Sequence, residues 1–231
     1  LHSGLGVTLV SRRAMSWTNG QIKEMMMGLS AEAIREGLDA VGKIEPRLAK
    51  AVEQVGYPEP RIREPGYETL LRTIVGQQVS FKAAAAVWAK LEAARGDMKD
   101  PQSVLSASFD ELRACGLSRQ KQGYARSLAE LVESGDLPLH HLPDDDEEAI
   151  TLLTKVKGIG RWSAEIYLLF ALGRPDIWPA GDLAVQIDVG RIMQMEERPS
   201  ERQVREIGEA WRPHRGAVAI LAWHHYATPV I

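Results

Sequence analysis

Cysteine is nearly missing from this chain of 231 residues. The single Cys115 can close no disulfide within the chain and cannot supply a cysteine zinc site or a four-cysteine iron–sulfur cluster; it fits a reducing compartment. Charge of one sign is also scarce. With 28 Lys and Arg against 31 Asp and Glu, the formal net charge is −3, so no global basic field surrounds the molecule and any nucleic-acid contact must be a local patch. The longest apolar runs, 166–172 and 217–223, fall well short of the roughly 20 residues that span a bilayer. No membrane partner is expected. Near the start an apolar stretch precedes Arg12 and Arg13, the wrong order for a signal peptide, and Met15 is a plausible natural start; residues 1–14 read as a leader without fixed structure.

Sustained period-2 alternation is absent too, whereas apolar residues at i, i+3 and i+4 recur between helix caps. The chain therefore reads as all-α. Ser30, Glu45-Pro46 and Pro65-Gly66 delimit early helices, and Leu70, Leu71, Ile74 and Val75 make one face of a segment ending near 76–80. Ser80 caps an Ala-rich helix from 81 to about 94, which Gly96 stops. Ser108 with Glu111 forms a capping box, Ser118 caps a helix to about 131, and Ser200 with Gln203 forms a second box ahead of a helix to 211. The acidic run 144–148 suits a helix N-terminus, here predicted to reach about 156, and a last helix covers 217–226.

Thr154-Lys-Val-Lys-Gly-Ile-Gly-Arg161 is a tight turn between helical segments. Its glycines permit backbone geometries closed to other residues, and Ile159 can plug back between the helices. A helix starting at Arg161 points free N–H groups outward beside Lys155, Lys157 and Arg161, which with Gly158 and Gly160 make a candidate phosphate site. An ordinary αα-hairpin turn is the bland alternative.

Leu153–Ala164, followed by a Gly/Pro-rich loop to Asp182, resembles the helix-hairpin-helix of the DNA glycosylase superfamily, with the aspartate 20 residues after Trp162. Thr73-Ile-Val-Gly-Gln-Gln-Val-Ser80 resembles that family's G-Q-x-[VI]-S segment, and Trp211-Arg-Pro-His-Arg215 its late W-R-P-x-R, so the likeness spans about 65–226 and is greatest to the 3-methyladenine DNA glycosylase II group.

The resemblance implies an all-α, two-lobed fold: a hairpin lobe over 65–182, and a second lobe built from 15–64 with 183–231. It implies a monofunctional, cluster-free glycosylase that takes alkylated purines such as 3-methyladenine out of double-stranded DNA, acting as a monomer and, in a bacterial host, in the cytoplasm at the nucleoid. Strand-cleaving relatives carry a lysine where this chain has Trp162, which cannot attack a sugar. Asp182 is the implied catalytic carboxylate, stabilising an oxocarbenium-like sugar and orienting water; alone it also reads as a helix N-cap. Gln78, with Gln77 beside it, is the implied residue filling the vacated base stack. Trp162, Trp223, Tyr167 and Ile166 are the implied base pocket, electron-rich rings suiting a cationic purine. Asp176 and Asp188 are read as surface or capping residues. No cofactor is required; a monovalent cation, Na+ or K+, on the carbonyls of Thr154, Val156 and Ile159 is the one metal implied. The six histidines show no zinc spacing, and His224 and His225 should point apart. Two other readings stay open: a helix-hairpin-helix protein that binds DNA without chemistry, and a glycosylase for another damaged base.

Overall fold

The computed structural model describes residues 28–228, so the expectation for residues 1–14 lies outside the described residues. Every regular element among them is helical. In chain order these are α1 (Ala31–Ile44), α2 (Pro46–Val55), α3 (Tyr67–Gly76), α4 (Phe81–Arg95), α5 (Gln102–Leu105), α6 (Phe109–Ala114), α7 (Arg119–Glu133), α8 (Asp146–Leu153), α9 (Arg161–Phe170), α10 (Leu183–Ile192), α11 (Glu201–Gly208), a 3-10 turn (Glu209–Trp211) and α12 (Arg215–Ala227).

Caps fix most of these starts. Ser30, Ser80, Ser118 and Asp145 each accept a first-turn amide, and both expected capping boxes form, Ser108 with Glu111 and Ser200 with Gln203. Two boundaries differ from expectation. Helix α8 stops at Leu153, short of 156, because Thr154, Lys155 and Val156 already turn back, their amides donating to Ile150, Leu152 and Leu153 carbonyls. The helix from Ser200 gives way to a tighter 3-10 turn at Glu209.

Packing sorts the helices into two groups. Helix α3 lies on α4 and α7, α7 on α5 and α6, and α9 on α8 and α3; α12 lies on α1, α2 and α10, with α10 also touching α2 and α11. The hairpin and α3 thus belong to a body built from 67–170, while α1 and α2 with α10, α11 and α12 build the other. A single apolar core runs through both, with Ile74, Leu128, Leu168, Val185 and Val218 among its fully buried members. Backbone bonds from Arg63 to Phe170 and from Gly216 to Pro175 tie the groups together. Trp211 of the Trp-Arg-Pro segment is core, meeting Trp178 edge-on at 5.4 Å.

Candidate active site

Helix α10 begins at the N-cap Asp182, whose Oδ1 accepts the amide of Val185 at 3.0 Å. Two indoles from different helices reach the same carboxylate. Trp162 of α9 donates its Nε1–H to Oδ2 at 2.8 Å, and Trp223 of α12 donates its own to Oδ1 at 3.0 Å. Three N–H donors from three elements therefore fix one half-buried carboxylate. Trp162 is 48% exposed, so one side of this arrangement is open. The ring of Trp223 is tilted 47° against Phe170 at 5.5 Å, and the Arg61 guanidinium stands 6.0 Å from its centroid. Phe170 and Arg61 were not singled out from sequence; the signal for Phe170 was only its place one turn after Ile166.

A cleft of about 1430 Å³ reaches Trp162, Ser163 and Ile166, and its wall includes Gln77, Gln78 and Gly158. Asp182 and Trp223 do not line it, and Trp162 belongs to both places. Ile166 is buried at its wall. Tyr167 sits elsewhere: its ring is buried and its hydroxyl accepts the amide of Gly66, at the start of α3, with burial pushing its pKa up. The expectation that it faces the pocket is corrected to a structural tie between α9 and α3.

The hairpin places Lys155 and Lys157 exposed on its turn, with Val156 and Ile159 buried beneath. Gly158 is at φ +84°, and a Cβ there would stand 2.2 Å from the Tyr124 ring; both facts require glycine. Gly160 has neither constraint. It starts α9 in extended backbone with no side-chain cap and nothing within 4 Å of where a Cβ would stand, so the first-turn amides of Arg161, Trp162 and Ser163 have no intrahelical partner.

Arg161 itself is committed elsewhere. It donates to both carboxylate oxygens of Glu147 and, at 2.9 Å, to buried Glu165. The Glu147 bond raises the pKa of Arg161, while burial raises that of Glu165 against the pull of Arg161 and Arg205. The phosphate role expected of Arg161 is corrected accordingly: its guanidinium staples α9 to α8. Gln77 is corrected likewise, since its Nε2–H donates to the carbonyl of Gly158 at 2.7 Å and ties α3 to the hairpin. Gln78 is left exposed, at a φ of +55° that costs a non-glycine residue on the order of 1 kcal/mol.

Neither alternative aspartate is a surface or capping residue. Asp176 pairs with Arg212 and Arg215. Asp188 is fully buried, accepts from His225 at 2.8 Å and leaves Oδ2 without a partner; burial raises its pKa. His224 turns instead to the carbonyl of Val55, so the two histidines do point apart.

The family model described as HhH-GPD superfamily base excision DNA repair protein matches residues 71–213, which hold the hairpin, Trp162 with Asp182, and the Trp-Arg-Pro segment, while Trp223 lies beyond the match. The chain belongs to the HhH-GPD superfamily of base excision DNA repair proteins. Among its relatives in that superfamily, DNA-3-methyladenine glycosylase 1 of Schizosaccharomyces pombe is 32% identical over 197 residues, which cover 84% of this chain and 85% of the relative. A crystal structure of DNA-3-methyladenine glycosidase from Bacillus halodurans superposes with a TM-score of 0.78 at 29% identity, covering 83% of this chain and 89% of the other. The Schizosaccharomyces pombe enzyme Mag1, solved in complex with abasic DNA, gives a TM-score of 0.67 at 30% identity over 83% of this chain and 95% of that one.

Proposed function

We propose that this member of the superfamily is a monofunctional DNA glycosylase that flips alkylated purines such as 3-methyladenine out of a duplex and hydrolyses the N-glycosidic bond. The observation that carries the reading is the Asp182 carboxylate held by the indoles of Trp162 and Trp223 and the amide of Val185. As the N-cap of α10, Asp182 would need only the Val185 amide; the two indoles orient the carboxylate beyond what a cap requires, which favours chemistry over DNA binding alone.

The chemistry follows from that geometry. Loss of the base leaves positive charge on the sugar, and a pre-oriented carboxylate stabilises it without reorganising at the moment of reaction. The same carboxylate can take a proton from the attacking water. Trp162 stands where a nucleophilic amine would be needed for strand cleavage, so water is the nucleophile and the product is an intact abasic strand. An alkylated purine is electron-poor and suits the faces of Trp162 and Trp223. The hairpin's lysines and the uncapped start of α9 suit the phosphate backbone, and Gln78 the vacated stack. A monovalent cation at the hairpin would rest on carbonyls alone, because Val156 and Ile159 are buried; Val156's carbonyl already accepts the Ile159 amide.

The test is release of free 3-methyladenine from methylated double-stranded DNA by the purified chain, read chromatographically. Release of a different damaged base and no 3-methyladenine would move the activity to another lesion; binding without release of any base would return the chain to a DNA-binding role.

A further inference from the structure

Phe81 is the first residue of α4 and, at 91%, is the most exposed large apolar side chain among the described residues. Its backbone is fixed, since Ser80 immediately before it caps α4 by accepting the amide of Ala83. Val79, two residues earlier, is also 45% exposed, and Gln78 precedes it in its left-handed conformation. Beyond Phe81 the helix presents exposed Ala83, Ala85 and Ala86, side chains too short to hold off an approaching surface. Phe81 lines the same cleft as Gln78, Gly158 and Trp162. An exposed ring, an apolar neighbour and a low alanine shoulder therefore share a cleft with the hairpin.

We infer that Phe81 is a second stacking residue for DNA, inserting its ring against a base exposed where the duplex is opened beside the lesion. The inference rests on the DNA-glycosylase reading above and extends it by a residue which that reading does not use. Duplex DNA is the occupant argued for because the cleft that Phe81 lines is also lined by Gly158 of the hairpin turn and by Trp162 and Ser163 at the uncapped start of α9, whose first-turn amides suit phosphate. A base presents an unstacked π-face only where the helix is interrupted, so the contribution of the ring should appear at a lesion and vanish on intact duplex.

Stacking of a base on an aromatic side chain corresponds to roughly 5- to 150-fold in affinity on alanine substitution. Binding would be measured for the whole chain on a duplex carrying a tetrahydrofuran abasic analogue and on the same duplex intact. Phe81→Ala should weaken binding to the abasic duplex by about tenfold and leave the intact duplex unchanged. Phe81→Trp should restore the preference, and Phe81→Leu, which keeps apolar bulk without a π-face, should not. Because the side chain is exposed, replacing it removes no core contact, and the melting temperature of each variant checks that folding is kept. Equal weakening on both duplexes, or none on either, overturns the stacking assignment; so does a change in sedimentation that shows the ring holding two copies together. If the wild-type chain fails to bind the abasic duplex at all, it is the glycosylase reading that falls.

Discussion

Replacing Asp182 by asparagine separates the cap it forms on α10 from the catalytic role proposed for it. Asparagine caps a helix about as well as aspartate, and its carbonyl oxygen can take the Oδ1 place, where it would keep both the Val185 amide and the Trp223 indole. Its NH2 group then faces the Trp162 N–H, donor against donor. Only that one bond is lost, and because Trp162 is about half exposed its indole can turn to water; the cost is about 0.5 kcal/mol, or a fall in melting temperature of about 1–2 °C for a chain of this size. The catalytic loss is of another order. A carboxylate about 4 Å from a developing sugar cation, at an effective dielectric of about 20, contributes about 4 kcal/mol, which corresponds to about 10³ in rate. Asp182→Asn should therefore bind an abasic-analogue duplex within a few fold of wild type while single-turnover base release falls about 10³-fold. Melting curves, a binding titration and single-turnover release on one duplex measure all three quantities. Parallel losses of binding and turnover, with a melting temperature down by more than about 5 °C, would refute the reasoning and leave Asp182 as a helix cap.

Gly160→Asp should raise or preserve the melting temperature, because the backbone there is extended and open and an aspartate would cap α9, yet weaken binding to every duplex by about tenfold regardless of lesion; a lesion-selective defect contradicts the phosphate assignment. Lys157→Ala should lower the slope of log affinity against log salt by about one, read from titrations at several salt concentrations. Borohydride should trap no covalent complex with a single-lesion duplex, and strands should break on an alkaline gel but not on a neutral one; trapping would send the search to Lys155 and Lys157. Asp188 has its pKa raised by burial, so its ionised form burdens the folded state and the wild type loses this component of stability as pH rises through the raised value. The melting temperature of Asp188→Asn relative to wild type should accordingly be higher near pH 7 than near pH 4; the reverse order would show that the ionised pair with His225 is net favourable.

Much of the fold was legible because caps are local. Ser108 and Glu111, or Ser200 and Gln203, need only three residues of sequence to make their bonds, and the helix starts follow. Contacts across the fold were not legible. Gln77 reaches Gly158 and Tyr167 reaches Gly66, pairings that exist only once α3 lies against the hairpin and α9. Arg161 was half legible: Glu165 four residues on is a visible helical partner, but Glu147 comes from α8, and together they occupy a guanidinium that sequence alone left for phosphate. Asp188 carried an unused signal. It falls with Val185, Val189 and Ile192 on the buried face of α10, where a carboxylate must find a partner or have its pKa raised. At Asp182 the cap was readable and so were both tryptophans as residues of interest, but not that their N–H groups would meet on its oxygens. That meeting depends on α9, α10 and α12 converging from both halves of the chain.

The contrast between two helix starts argues for where DNA lies. Eight of the twelve described helices begin with a side chain that accepts a first-turn amide, so this chain uses caps freely, and α10 carries one at Asp182. Helix α9 does not, although nothing at Gly160 stands in the way of a serine or aspartate and such a residue would stabilise the start by a few tenths of a kcal/mol. At α12, which also lacks a side-chain cap, the Gly216 amide is taken up by the Pro175 carbonyl. The start of α9 has its open side next to Lys155 and Lys157, and a carboxylate or hydroxyl placed there would occupy the amides that an anion needs. A local rule broken where it could cheaply be kept marks a functional position. On the proposed glycosylase reading, the capped start would hold the charge that faces the sugar, and the uncapped one would leave room for the phosphate.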